Sequence, residues 1–193
     1  GFEKVYYLPL ATDPVIFKPS KRKKAFEFTF VGTSLMDPIR RILKTIPKDL
    51  RKSIISAARK GAKRILEKYP IDDLWRRDDY FPHFETLSMW IGSRCKRVSI
   101  LKEVSKMGNL TIFGDPDWKK LIPASKTFPP CSYYNKLPLI YSSTVININI
   151  NNLQLKTAVN QRVFDCPSSG GFLLSEHSED LDILFDGLFP SYR

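Results

Sequence analysis

Cysteine, histidine and acidic residues are all in short supply in this chain. Its 193 residues include three Cys and two His. Cys95, Cys131 and Cys166 are widely spaced and form no C-x-x-C pair. The usual structural zinc sites are therefore excluded, and no metal is expected. Three thiols fit a reducing compartment better than a disulfide scaffold, so a cytoplasmic location is expected. There is no apolar run of about 18 residues, which excludes an ordinary membrane-spanning helix. The opening GFEKVYYLPL lacks the basic and long apolar regions of a signal peptide. It also lacks an initiator Met, so the chain is expected to be part of something longer. Neither G-x-G-x-x-G nor G-x-x-x-x-G-K-[ST] occurs, so the usual dinucleotide fingerprint and the P-loop are absent.

The shortage of acid leaves 31 Lys and Arg against 20 Asp and Glu, a net charge of +11. Nucleic acid, anionic membrane and phosphorylated small molecules are the partner classes to weigh. Much of the excess lies in Lys21–Lys24 and in a basic stretch from Lys48 to Lys68. In that stretch Leu50, Ile54, Ile55, Ala58, Ile65 and Leu66 form an apolar stripe. It reads as the core face of a solvated helix. A sharper alternative is peripheral docking on an anionic membrane surface.

Residues 1–24 read as a linker laid on a surface. AFEFTFV (Ala25–Val31) alternates Phe26, Phe28 and Phe30 and predicts a strand, closed by Gly32-Thr33-Ser34. Asp37-Pro38 opens a helix to Ile46. A helical insertion of about 48–80 follows. Helical spacing runs from Glu85 to Met107, and Leu110–Phe113 predicts a short buried strand. Trp118–Cys131, with Pro123, Pro129 and Pro130, reads as irregular. A helix over Leu137–Ser143, a strand over Val145–Ile150, a short helix, a strand over Phe172–Ser175 and a helix from Ser178 complete the pattern. Short apolar strands alternating with helices predict an α/β fold: a Rossmann-like parallel sheet with helices on both faces.

Ligands of such sheets collect at the carboxyl ends of the strands. The first end offers Gly32, Thr33 and Ser34, with backbone N–H groups and hydroxyls suited to phosphate. The second offers Gly114, Asp115 and Trp118 as a wall for a base; Asp115-Pro116-Asp117 has D-x-D form but reads as a turn. The third offers Asn149 beside Asn147, a row that alternatively satisfies neighbouring backbone. The fourth is NQRVFDCPSSGG. Arg162 and Asp165 are three residues apart, on one helical face, and Gly170 and Gly171 follow. Arg suits a diphosphate and a carboxylate suits ribose hydroxyls. The bland alternative is a surface ion pair of little consequence.

LPLATDPVIFKP, FTFVGTS with Arg40-Arg41, LTIFGDPDW, LPLIYSSTVININI and QLKTAVNQRVFDCPSSGGFLLSEHSEDL together resemble the carboxyl-terminal half of spore-maturation (CgeB-like) glycosyltransferases of GT-B type. The resemblance covers nearly the whole chain. Its most specific part is the N-x-R-x-F-[acid] run that starts at Asn160. It implies that residues 25–193 are the nucleotide-sugar-binding domain, truncated at both ends. It further implies that Asp165 binds the donor ribose, that Arg162 faces the diphosphate and that Gly170-Gly171 admit the donor. Gly32 and Ser34 would then line the phosphates, and Gly114 to Trp118 the base. The two-acid pattern of retaining members is absent, since Thr157 stands eight residues before Asp165. No cofactor is implied beyond a nucleoside diphosphate sugar as donor substrate. The acceptor domain, where a catalytic base usually sits, would be the missing partner, so no catalytic residue is assigned. His83 and His177 are the only imidazoles; His177, beside Glu176, reads as a loop residue or a contact to donor sugar. The competing functions are a basic α/β nucleic-acid-binding module and a non-catalytic interaction domain. With the resemblance, no nucleic-acid partner is expected.

Overall fold

A computed structural model describes residues 4, 6, 8–66, 84–155 and 157–192. Six strands form one sheet: β1 (Phe26–Val31), β2 (Leu110–Phe113), β3 (Lys126–Phe128), β4 (Thr144–Asn149), β5 (Leu173–Glu176) and β6 (Ser191–Tyr192). Their order is β3-β2-β1-β4-β5-β6 and every pairing is parallel. The helices are α1 (Met36–Thr45), α2 (Arg51–Leu66), α3 (Phe84–Met107), α4 (Trp118–Leu121), α5 (Leu137–Ser142), α6 (Arg162–Ser168) and α7 (Glu179–Phe185). This is the Rossmann-like α/β architecture that the alternation of short apolar strands and helices predicts.

Strand alternation sends neighbouring residues to opposite faces, and each face meets its own helices. Phe28, Phe30, Leu110, Ile112, Ile148 and Ile150 pack with Leu101 and Val104 of α3 and with Trp118 of α4. On the other face, Leu173 packs with Tyr141 of α5, Val163 and Cys166 of α6, and Leu181 of α7. Asn147 is buried in β4 yet fully engaged. Its Oδ1 accepts from Thr29 Oγ1 at 2.8 Å, and its Nδ2 donates to the Tyr141 and Phe172 carbonyls. The amide row thus ties β1, β4 and α5 together, as buried polar groups require.

The four inner strands lie where the sequence pattern puts them, to within a residue or two. The two edge strands do not stand out in it. β3 falls inside the Pro-rich stretch that reads as irregular, and β6 is two residues long. Each edge strand pairs on one side only, so neither needs a continuous apolar run.

Ile54, Ala58 and Ala62 of α2 are buried against Leu87 and Ile91 of α3. The apolar stripe of the basic helix is therefore a core face over its described side chains, while Leu50 is exposed. Residues 67–80 of the expected insertion, and His83, lie outside the described residues. Among the described residues no helix is long and apolar enough to cross a membrane.

The segment before β1 is strapped to α6. Gln161 Nε2 donates to the Ala11 carbonyl at 2.7 Å, Thr12 Oγ1 donates to Asp165 Oδ1 at 2.8 Å, and Ser168 donates to the Phe17 carbonyl. Phe17 is 1% exposed and meets the Tyr133 ring edge-on at 5.1 Å. Phe17→Ala should therefore cost about 3–5 kcal/mol, as a large buried aromatic does. Leu8→Ala, at a position 90% exposed, should stay within about 0.5 kcal/mol. Urea denaturation of the two variants checks this; equal costs would show that the segment is no part of the fold.

Candidate functional site

In the order β3-β2-β1-β4-β5-β6 the chain reverses direction across the sheet between β1 and β4. Such a switch point, at the carboxyl ends of these two strands, is where open α/β sheets place their ligand crevice. The residues after β1 and the loop after β4 line it. Arg162 opens α6 and spans the crevice. Its Nη1 donates to Asn149 Oδ1 at 2.8 Å, and its Nη2 donates to the Val31 carbonyl at the end of β1. Asn160 holds the start of α6. Its Oδ1 accepts the Arg162 backbone N–H at 3.1 Å, and its Nδ2 donates to Asn149 Oδ1 and Asn151 Oδ1 at 2.8 and 2.9 Å. Asn149 Nδ2 in turn donates to Ser175 Oγ of β5.

A second guanidinium reaches the same crevice from α3. Arg97 is only 8% exposed. Its Nη1 donates to the Thr33 carbonyl at 2.6 Å and its Nη2 to Asn152 Oδ1 at 2.8 Å. The two guanidiniums share the Phe30 ring, with carbon Cζ 5.6 Å (Arg97) and 5.5 Å (Arg162) from its centroid. All four acceptors are uncharged, and among the described residues neither arginine forms an ion pair. The Nε of each is buried with no partner. Burial, and then the nearby charge of Arg162, lowers the Arg97 pKa to about 10. Arg97 thus stays charged at neutral pH, in a place where a cation is poorly solvated. Unpaired buried charge is costly, and proteins keep it mainly where function requires it.

Glu176, at the end of β5, completes the rim. Its Oε1 pairs with Lys96 Nζ at 2.6 Å and its Oε2 accepts the Asn151 N–H at 2.8 Å. Lys96 and Arg97 are consecutive on α3, so one helical turn serves both strand ends. Tyr192 of β6 donates its hydroxyl to the Asn149 carbonyl at 2.7 Å.

Of the residues singled out from the sequence, Gly32, Thr33, Asn149, Asn160 and Arg162 come together at this crevice. Ser34 lies beside them, but it is buried and donates its N–H and hydroxyl to the Asp115 carboxylate, at 2.5 and 2.7 Å. Asp115 thereby locks the turn after β1 to the turn after β2. Trp118 is fully buried and donates its indole N–H to the Gly32 carbonyl at 2.9 Å. Gly114 packs so closely that an added Cβ would overlap that same carbonyl and the Trp118 ring. These three residues hold the turns together and offer no open wall. Gly170 and Gly171 lie before β5, at the opposite end of the sheet, separated from Arg162 by α6, which is about 10 Å long. Gly170, at φ 74°, terminates α6 by donating its N–H to the Pro167 carbonyl. Asp165 is buried, and its oxygens accept from Thr12, Gln161 and Tyr133. It therefore faces the strap and not the crevice.

Arg97 and Glu176 escaped the sequence reading. Arg97 did leave a trace. Ser93, Arg97 and Leu101 are four residues apart and all buried, so a cation occupies a core slot of α3. A charge at a helical core position is the pattern that marks a functional arginine.

Residues 96–188 match the Glycosyl transferase-like family model. The match begins one residue before Arg97 and takes in Asn149, Arg162 and Glu176, so the crevice lies largely within it. It supports a glycosyltransferase domain and hence transferase chemistry. No curated protein and no solved structure matches the chain.

The matched region is braced from outside by Arg40 of α1, which forms a two-pronged pair with Asp117 at 2.7 Å for each bond. The hydrogen bond from Arg40 holds the Asp117 carboxyl below its usual pKa. The stability it adds is present above the ordinary carboxylate value, near about 4, and is lost as pH falls through the lower folded value. The urea-midpoint gap between the native chain and Asp117→Asn should therefore close between pH 6 and acid pH. A gap that did not change with pH would contradict the pairing.

Proposed function

We propose that this domain is the donor-binding half of a GT-B glycosyltransferase. It would hold a nucleoside diphosphate sugar with its diphosphate at Arg97 and Arg162. The observation that carries this reading is the pair of guanidiniums on one phenylalanine ring, at the switch point of the sheet, with only neutral acceptors. A diphosphate bridging them would supply the charge that the protein withholds. Arginine suits this task because its planar fork bonds phosphate oxygens in two directions.

In the transfer of a hexose, the bond between the anomeric carbon and the phosphate oxygen breaks, and negative charge builds on the departing diphosphate. Two cations fixed in a poorly hydrated crevice stabilise that charge without reorganising. The reading requires no metal for this step. The activating base for the acceptor would come from a second domain. Asp165 already accepts three protein donors, so in this reading it steadies α6, and with it Arg162, through the N-terminal strap. Asn149 and Asn160 set the direction of the Arg162 fork.

Thermal or chemical unfolding in the presence of a panel of nucleotides tests the proposal. A nucleoside diphosphate or its sugar, at 100 times its dissociation constant, should add about 2.7 kcal/mol of stability. The matching nucleoside, which lacks phosphates, should add almost nothing. Arg162→Ala and Arg97→Lys should each weaken the diphosphate at least about tenfold, equivalent to about 1.4 kcal/mol. No response to any nucleoside diphosphate, or an equal response to the bare nucleoside, would overturn the reading.

A further inference from the structure

α2 is the most one-sided element of the chain in charge. Arg51–Leu66 carries Arg51, Lys52, Arg59, Lys60, Lys63 and Arg64 and no acidic residue. Seven- and four-residue spacings put Lys52, Arg59 and Lys63 along one line of the helix, about 10 and 6 Å apart by helical rise. Lys52, Arg59, Lys60 and Lys63 are exposed.

The opposite side of α2 is fixed. Ile54, Ala58 and Ala62 are buried on α3. The contact is close at two glycines: an added Cβ at Gly61 would press on Ser88 Oγ, and one at Gly92 would meet Leu153 and Ala62. α2 therefore cannot roll to hide its cations, nor can its apolar stripe turn outwards. The result is a fixed row of positive charge on the outer face of the described side chains.

We propose that this outer face of α2 docks the protein peripherally on an anionic phospholipid surface, by charge alone. A bilayer presents a flat field of phosphates that a straight row of cations matches. The helix has no aromatic side chain to stack on a base and no amide side chain to read one, as base-reading surfaces do. Ile54, Ala58 and Ala62 are committed to α3 and unavailable for the usual insertion of an amphipathic helix. The inference is independent of the donor site.

Vesicle sedimentation tests it, with phosphatidylserine-containing and pure phosphatidylcholine vesicles. The protein should pellet with the anionic vesicles at 0.1 M salt and be released at 1 M, where the screening length falls from about 10 to about 3 Å. It should ignore the neutral vesicles. The variant K52E/R59E/K60E, shown to be folded by circular dichroism and by its unfolding midpoint, should lose the binding. Inorganic phosphate at equal ionic strength should not compete, which separates a bilayer surface from a site for free phosphate. Equal binding to neutral vesicles, unchanged binding of the triple variant, or no pelleting at low salt would each overturn the proposal. So would salt-sensitive RNA binding that the triple variant loses while anionic vesicles are ignored.

Discussion

Two positive charges held against one aromatic ring, with no ion pair to either among the described residues, are the constraint around which this domain is arranged. Arg97 and Arg162 arrive from different helices on different faces of the sheet, yet they converge on Phe30 and on the ends of β1 and β4. Placing like charges together in a dry site opposes folding. The surrounding polar groups offset part of that cost with neutral oxygens. Those oxygens are held in turn by Asn160, Ser175 and the strand ends. A ligand carrying two or more negative charges is the natural complement to what is left.

Much of the remaining structure serves to keep those two side chains in place. Arg162 depends on where α6 begins. α6 is tied to the N-terminal segment through Asp165, Gln161 and Ser168, while Gly170 stops it at its far end. The turn after β1, whose carbonyl receives Arg97, is locked by the contact of Ser34 with Asp115 and by the bond from Trp118 to Gly32. Ser34, Asp115 and Trp118, which the sequence offers as ligand contacts, thus also fasten the turns around the candidate site. Rigid support of this kind is what a preorganised anion site needs, because reorganisation at the moment of reaction would cost the stabilisation it provides.

The inner strands were legible because β1 alternates its phenylalanines, β4 alternates isoleucine with asparagine, and β2 and β5 are short, largely apolar segments between turns. β3 and β6 were not, since an edge strand of two or three residues leaves little periodic trace. At the candidate site, Asn149 and Arg162 were legible from their place at strand ends, and Asn160 from the N-x-R-x-F run of the family resemblance. The sequence also shows Arg162 and Asp165 as neighbours on one helical face, but it cannot show that a strap from residues 11–17 covers Asp165. Burial of that carboxylate depends on contacts more than 150 positions away. Arg97 was hidden for a different reason: beside Arg94, Lys96 and Lys102 it reads as one more surface cation of its helix. Only the packing of Ser93, Arg97 and Leu101 on a single buried line reveals that it points inwards.

The paired-guanidinium site can be observed directly by nitrogen-15 NMR of the arginine side chains. The buried Nε–H groups of Arg97 and Arg162 should give slowly exchanging resonances, each assigned by its loss in the matching Arg→Lys variant. Titration with a nucleoside diphosphate should shift both resonances together and with one affinity. If the nucleotide saturates the protein while both Nε–H resonances stay fixed, the anion binds elsewhere and the account is wrong.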